Sequence, residues 1–183
     1  AGVMPLFEPG LEEMVKRNCA DARLSFTASY AEAIPGAEVV FIAVSTPPLP
    51  DGHADLTFLS AAVESTARHI AGETLIVVKS TVPVGCGDLV RKLLDQHAPP
   101  SVRFTVASNP EFLREGSAIS DSLRPDRIVI GCGCQEGAMK LVELYAPLER
   151  PMLLMDVKSA ELVKHASNSF LATRISFINS IAD

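Results

Sequence analysis

Five short apolar runs recur along the chain, and each has about the length of a β-strand. They lie at residues 39–44, 75–78, 104–107, 127–130 and 152–155. Continuous apolar runs of this kind, bounded by turn residues, are typical of strands buried on both faces of a sheet. Apolar residues at helical spacing fill the segments between them, at residues 56–70, 88–96 and 135–145. This alternation predicts an α/β fold with right-handed βαβ units and a doubly wound parallel sheet.

The last 25 residues follow a different pattern. Residues 159–183 contain neither Gly nor Pro, and their apolar positions form a stripe at helical spacing. We therefore predict one long helix with Ser159 as its N-cap, and a boundary between structural units near residues 156–159. A helix of this length at the edge of a domain often leads to a second domain or to a subunit partner.

Composition narrows the class of protein. The 183 residues carry a net charge of −6, which argues against general nucleic-acid binding because phosphate backbones require a basic surface. No apolar run approaches the roughly 20 residues of a membrane span, and the first residues do not resemble a secretory signal. The chain begins without Met in what reads as a loop, so we expect a piece of a longer protein.

The four cysteines do not have the spacing of a disulfide framework. Cys132 and Cys134 resemble half of a metal site, but no second Cys/His pair at zinc spacing accompanies them. We therefore predict no metal, and we expect reduced thiols in a cytoplasmic protein.

Small polar residues and prolines follow three of the predicted strands. The segments are Ser45-Thr46-Pro47, Ser80-Thr81-Val82-Pro83 and Ser108-Asn109-Pro110-Glu111. Each segment alone is explained most simply as a helix cap or a turn. Parallel strands, however, end at the same edge of a sheet, where ligands bind in doubly wound folds. Three such segments at one edge therefore predict a shared ligand crevice.

The long predicted helix adds two polar side chains. Lys164 and Asn168 are four residues apart and share one helix face, so together they could stabilise a developing oxyanion or bind phosphate. Taken alone, the pair is explained better as a solvated helix face. His165 points about 100° away and is interpreted as a packing or surface residue. The sequence contains no G-x-G-x-x-G fingerprint, Walker loop or H-E-x-x-H motif.

Several segments together resemble the UDP-glucose/GDP-mannose dehydrogenase family, and its UDP-glucose branch in particular. They occur in the order of the family at residues 8–13, 45–47, 79–85, 108–118, 124–127 and 159–162, followed by Lys164, Asn168 and residues 170–172. The most specific of them is Asn109-Pro110-Glu111-Phe112. The resemblance covers nearly the whole chain.

The resemblance implies an NAD-dependent enzyme that oxidises UDP-glucose to UDP-glucuronate in two hydride transfers, with a cysteine holding the intermediate. The implied cofactor contacts are Ser45, Thr46, Pro47, Ser80, Thr81, Val82 and Glu115. The implied sugar-nucleotide contacts are Glu111, Phe112, Leu113, Arg114, Glu115, Lys164 and Asn168. Glu111 would handle a proton or water during thioester hydrolysis, and Thr81 would help to place that water. Lys164 would relay a proton and stabilise the oxyanion, with Asn168 as its partner.

The resemblance also implies how the chain is divided. Residues 1–158 would be a partial Rossmann-like NAD-binding domain that lacks its first βαβ part. Residues 159–183 would begin the central helix of a dimerisation domain, through which the full-length protein forms a homodimer. The glycine-rich loop and the nucleophilic cysteine would lie outside these 183 residues. We therefore expect the isolated chain to expose unpaired strand edges, to be poorly stable and to show no turnover.

Two alternatives remain open at this point. Another sugar nucleotide, GDP-mannose or UDP-N-acetylmannosamine, would be oxidised by the same family. A module of a different class, without catalysis, would bind nucleotides or assemble through its long helix.

Overall fold

The computed structural model describes residues 7–182 of the chain. Its strands are β1 (Val39–Ile42), β2 (Glu73–Val78), β3 (Arg103–Ser108), β4 (Ile128–Cys132) and β5 (Met152–Met155). Its helices are α1 (Leu11–Ala20), α2 (Tyr30–Ala33), α3 (Thr57–Ala67), α4 (Cys86–His97), α5 (Ala118–Leu123), α6 (Gln135–Tyr145) and α7 (Val157–Ala182), with a 3₁₀ turn at Ala146–Leu148. Each of the five apolar runs became a strand. None of the helices formed by residues 7–182 is both long and apolar enough to span a bilayer.

The strands form a single sheet in the order β1-β2-β3-β4-β5. The first three are parallel and end level with one another, because Ile42 pairs with Val78 and Val78 pairs with Ser108. The polar segments that follow these strands therefore leave the sheet side by side at one edge. This arrangement positions the candidate site.

Helices cover both faces of the sheet, as the continuous apolar strands predicted. On β2, Ile76 and Val78 pack in one core cluster with residues of α3 and α4. Their neighbours Leu75 and Val77 point to the opposite face and pack in a second cluster with Leu141 of α6. Successive residues of one strand thus serve two cores, which is why the strand contains no alternating polar positions.

The predicted parallel sheet contains one antiparallel pair of strands. Strand β4 runs antiparallel to β3, through the pairs Ala107–Cys132 and Ser108–Gly131, whereas β5 is again parallel to β4. For β4 to run parallel to β3, a crossover connection would have to return the chain to the end of the sheet at which β3 begins. Between β3 and β4 the chain forms only loops and the six-residue helix α5, so the next strand runs back. The sheet is mostly parallel.

Helix α7 begins at Val157, three residues before the start that Ser159 as N-cap predicted. The N-cap is Asp156 and not Ser159, because the Asp156 Oδ1 accepts a hydrogen bond of 2.9 Å from the backbone N–H of Ser159. The first turns of α7 pack so closely on β4 that a Cβ built on Gly131 would lie 2.5 Å from the Cβ of Ala160. Beyond this packed part, residues 168–182 are all exposed.

The sheet has an exposed edge at β1. Among the residues that the structure describes, β1 pairs with β2 alone. The Phe41 side chain on this strand is 37% exposed. Within the described residues, the other side of β1 therefore presents backbone groups that no neighbouring strand pairs.

Candidate active site

The residues that follow β1, β2 and β3 surround a pocket of about 290 Å³ at the carboxyl edge of the parallel strands. Its lining residues are Ala43, Val44, Ser45, Thr46, Lys79, Ser80, Thr81 and Glu111. Five of these residues had been predicted to be in the site: Ser45, Thr46, Ser80, Thr81 and Glu111. The level ends of the three strands bring them together.

Two hydrogen bonds fix the segment after β1 to the segment after β2. The Thr46 hydroxyl donates to the backbone carbonyl of Thr81 at 2.7 Å. The Ser80 hydroxyl donates to the carbonyl of Val44 at 2.6 Å. Each bond satisfies a backbone carbonyl that belongs to no helix or strand. The two bonds therefore hold both segments in one conformation beside the pocket.

Helix α7 contributes Lys164 to the same site. Its Nζ lies 3.0 Å from the Oε1 of Glu111 and 2.5 Å from the Glu111 backbone carbonyl. The Lys164 side chain is only 7% exposed, so its charge requires this partner. The Glu111 Oε2 accepts a further hydrogen bond of 2.6 Å from the backbone N–H of Leu113.

These contacts change the proton affinity of Glu111. Burial alone would raise the pKa of this carboxyl group. The N–H of Leu113 and the ammonium groups of Lys164 and Lys79 outweigh burial and lower the Glu111 pKa below its ordinary value. Glu111 is therefore a carboxylate at neutral pH, in contact with a nearly buried ammonium group.

Phe112 supports this pair from one side. The guanidinium of Arg127 lies 4.8 Å from the centre of the Phe112 ring, and the Lys164 Nζ lies 5.2 Å from the same centre. Both distances are within the range of cation–π attraction. Phe112 was predicted to contact the sugar nucleotide. It lies beside Lys164 but does not line the pocket.

Lys79 is a pocket residue to which the sequence analysis assigned no role. Its Nζ donates to the carbonyl and to the side-chain Oδ1 of Asn109, each at 3.2 Å. Burial lowers the Lys79 pKa to about 8, with Lys164 adding to the effect and Glu111 opposing it. The sequence did contain a signal, since a lysine that directly follows a run of apolar strand residues is expected to be partly buried.

Glu161 is a second residue that the sequence analysis left without a role. It lies on α7 and is 2% exposed. Its two carboxyl oxygens accept hydrogen bonds from the backbone N–H groups of Gly85 at 2.6 Å and of Gly87 at 2.8 Å, at the N-terminus of α4. Burial raises the pKa of Glu161. This carboxyl group ties α7 to the helix that follows the Thr81 segment.

His165 makes the neighbouring contact. Its Nε2 lies 2.6 Å from the backbone carbonyl of Val82, to which the ring N–H donates. The expectation of a packing residue fits this position. Val82 itself is buried in the core and does not line the pocket.

The remaining predicted site residues lie outside the pocket. Leu113, Arg114, Glu115 and Asn168 are exposed. Arg114 forms an ion pair with Asp121 at 2.7 Å. The last of the predicted cofactor residues, Pro47, is also exposed, and its carbonyl accepts from the N–H of Asp55. Their predicted roles remain predictions.

The cysteines of the chain lie apart from this pocket. All four are free thiols, and the Cys134 side chain caps the N-terminus of α6 by accepting from the N–H of Gly137. Within residues 7–182, no group of three or more His, Cys, Asp or Glu side chains is placed to hold a metal ion.

The pocket is chemically suited to a polar ligand whose charge changes during a reaction. It combines a carboxylate, a lysine of lowered pKa and several hydroxyl groups, and Lys164 contacts its carboxylate from α7. Hydroxyls and backbone at the carboxyl ends of parallel strands fit a nucleotide cofactor. A volume of about 290 Å³ lies at the lower end of the range for small-molecule sites.

Comparison with known proteins identifies the two parts of the chain. Residues 1–149 match the NAD binding domain of the UDP-glucose/GDP-mannose dehydrogenase family, and residues 158–183 match the central domain of that family. The cofactor of the matched domain is NAD, as predicted. The UDP-glucose 6-dehydrogenase YwqF of Bacillus subtilis is 50% identical over 182 residues, which cover 100% of this chain and 41% of the relative. The UDP-glucose 6-dehydrogenase of Rhizobium meliloti is 47% identical, with 100% and 43% covered.

Solved structures agree with these matches. The UDP-glucose dehydrogenase from Pyrobaculum islandicum superposes with a TM-score of 0.94 at 48% identity, covering 98% of this chain and 42% of the other. The GDP-mannose dehydrogenase from Pseudomonas aeruginosa superposes with a TM-score of 0.92 at 33% identity, covering 97% and 42%. The chain thus spans about two fifths of the length of the relatives that it matches. It belongs to the UDP-glucose/GDP-mannose dehydrogenase family.

Proposed function

We propose that this chain supplies part of the active site of an NAD-dependent UDP-glucose 6-dehydrogenase, which oxidises UDP-glucose to UDP-glucuronate in two hydride transfers. One observation carries the proposal: Lys164 of α7 contacts Glu111, and Glu111 lines one pocket with Thr46 and Thr81. The site thus joins residues that match the NAD binding domain to a residue that matches the central domain.

The Glu111–Lys164 pair supports a reaction in which protons move. Its carboxylate is held ionised, so it can accept a proton from an alcohol or from an attacking water. The Lys164 ammonium donates two hydrogen bonds to Glu111 and can donate to an oxygen that becomes negative. Asn168 lies one helical turn further along and offers an uncharged donor for the same oxygen.

The hydroxyl-bearing segments fit the cofactor side of the proposal. Ser45, Thr46, Ser80 and Thr81 line the pocket, and Thr46 holds the Thr81 carbonyl in place. These residues would hold the nicotinamide end, and Thr81 would also place the water for hydrolysis. NAD supplies the hydride acceptor for both oxidation steps.

UDP-glucose is the substrate that the comparisons favour. Relatives described as UDP-glucose 6-dehydrogenases are 50% and 47% identical to the chain. The GDP-mannose dehydrogenase structure is 33% identical, and a UDP-D-ManNAc dehydrogenase from Pyrococcus horikoshii is 27% identical. All of these proteins share the fold. The preference for UDP-glucose therefore rests on sequence identity and not on backbone geometry.

Helix α7 supports a homodimer. Its exposed second half carries large apolar side chains, among them Phe170, Ile175, Phe177, Ile178 and Ile181. A helix with so many exposed apolar residues requires a partner in water. We assign residues 1–158 to the NAD-binding domain and residues 159–183 to the start of the dimerisation domain. The free thiols fit a cytoplasmic protein.

A chimera tests the proposed function. The 183 residues replace the matching segment of the Bacillus subtilis relative, and NADH formation is followed with UDP-glucose, GDP-mannose and UDP-N-acetylmannosamine in turn. We expect turnover with UDP-glucose, about two NADH for each sugar, and much less with the other two. An inactive but folded chimera that still binds NAD would instead support a non-catalytic nucleotide-binding module.

A further inference from the structure

Lys79 is held in the pocket by a residue that is itself immobilised. Asn109 is 1% exposed. Its backbone N–H donates to the carbonyl of Val78 at 2.9 Å, and its Nδ2 donates to the carbonyl of Val129 at 2.8 Å. The Tyr145 hydroxyl donates to the Asn109 Oδ1 at 2.6 Å. Because β2, β4 and α6 all fix Asn109, the two oxygens that accept from Lys79 are fixed as well.

The ammonium of Lys79 is thus placed by neutral groups, and it lines the same pocket as the carboxylate of Glu111. Both of its hydrogen-bond acceptors belong to Asn109, and neither is a carboxylate. The charged groups that act on it are Glu111, which lines the same pocket, and Lys164 of α7. The Tyr145 hydroxyl donates to the same Asn109 Oδ1 that accepts from Lys79. A partly buried ammonium without an ion pair of its own lowers stability, which suggests a use for its charge.

We propose that Lys79 is a positioning residue for Glu111: its ammonium, anchored on Asn109, works with Lys164 to keep the Glu111 carboxylate ionised in the pocket. The catalytic part of this inference rests on the proposed function, because Glu111 is there the group that accepts protons. The electrostatic part does not depend on any reaction.

A carboxyl titration in the 183-residue chain tests the electrostatic part. The Glu111 Cδ signal is followed by ¹³C NMR against pH and assigned by its loss in Glu111→Gln. In Lys79→Met the Glu111 midpoint is expected to rise, and in Lys79→Arg it is expected to return to the wild-type position. Lys140→Met is the matched control, because Lys140 pairs with Glu73 at the other end of β2 and should leave Glu111 unchanged.

A second measurement needs no substitution. In the wild-type chain the Glu111 signal should show a second inflection near pH 8, where Lys79 loses its proton. The absence of any second inflection throughout the basic range, or a Glu111 midpoint that is the same in Lys79→Met and wild type, would overturn the proposal.

The chimera tests the catalytic part. In Lys79→Met the acid limb of the pH profile of kcat should move to higher pH. In Lys79→Arg the acid limb should return to the wild-type position. An active chimera whose acid limb does not move in Lys79→Met would contradict a role in catalysis. If the chimera is inactive with every sugar, the proposed function fails, and the carboxyl titration still decides the role of Lys79.

Discussion

The Nζ of Lys164 lies 3.0 Å from the Oε1 of Glu111, although 53 residues separate the two along the chain. Lys164 belongs to the long helix, and Glu111 belongs to the loop that follows β3. Their contact means that α7 does more than lead away from the sheet. It holds Glu111, a residue of the pocket at the carboxyl edge of the three parallel strands, and its docking should therefore respond to changes at either residue.

The Glu111–Lys164 contact makes the stability of the chain depend on pH. The Glu111 pKa is lower in the folded chain than in the unfolded chain, so the carboxylate stabilises the fold above its ordinary pKa. This contribution is lost as the pH falls through the lowered value. When the pH is lowered from about 6 to about 3, we expect the unfolding temperature of the wild type to decrease more than that of Glu111→Gln. Parallel pH curves for the two proteins, measured by circular dichroism, would refute this expectation.

Glu161 should stabilise the docking of α7 on α4. Glu161→Ala leaves the N–H groups of Gly85 and Gly87 without acceptors, at a cost of about 1–3 kcal/mol in the free energy of unfolding. Urea denaturation measures the loss. Glu143→Ala removes an exposed carboxyl group from α6 and should change the stability by less than about 0.5 kcal/mol. Equal effects of the two substitutions would argue against the capping role.

Gly131 should be required for the close approach of α7 to β4. In Gly131→Ala the new Cβ would lie 2.5 Å from the Ala160 Cβ and 2.9 Å from the Asp156 carbonyl, so the helix must shift. We expect a loss of about 1–3 kcal/mol in urea denaturation. Gly133→Ala is the control, since its Cβ would meet nothing within 4 Å. A Gly131→Ala protein as stable as Gly133→Ala would show that the helix adjusts without cost.

The apolar pattern predicted the strands well for a simple physical reason. A strand segment covered on both faces consists mainly of apolar residues, so residues 75–78 of β2 stand out in the sequence without any knowledge of their neighbours. The polar turns at residues 45–47 and 80–82 were predictable for the same reason, because they mark where these buried runs end. That they meet in one pocket followed from the parallel arrangement of β1, β2 and β3.

Other features depend on long-range contacts that leave no local pattern. The direction of β4 depends on the path of the chain between β3 and β4, and the apolar run of β4 is the same for either direction. The Glu161 carboxyl meets its partners 74 and 76 residues away, so only the folded chain shows that this residue is buried and engaged. Lys79 likewise depends on Asn109, 30 residues away.

The second half of α7 should mediate self-association. Ile178 is 61% exposed in the single chain, and a charge at this position would oppose burial against a second copy. For the wild type we expect a solution mass of about twice 19.5 kDa by light scattering. Ile178→Glu should shift the mass toward that of the monomer. Ser180→Glu on the same helix is the control for added charge, and a monomeric wild type at high concentration would contradict the expectation.

The turnover of the chimera with Lys164→Ala tests the central claim most directly. If Lys164 and Glu111 form the reacting site, this substitution should lower kcat with UDP-glucose by about 100-fold or more. Lys158→Ala provides the comparison, because Lys158 lies on the same helix but pairs with Asp88 at 2.8 Å on the surface, and its loss should change kcat by less than about threefold. A Lys164→Ala chimera that turns over as fast as Lys158→Ala would contradict the account.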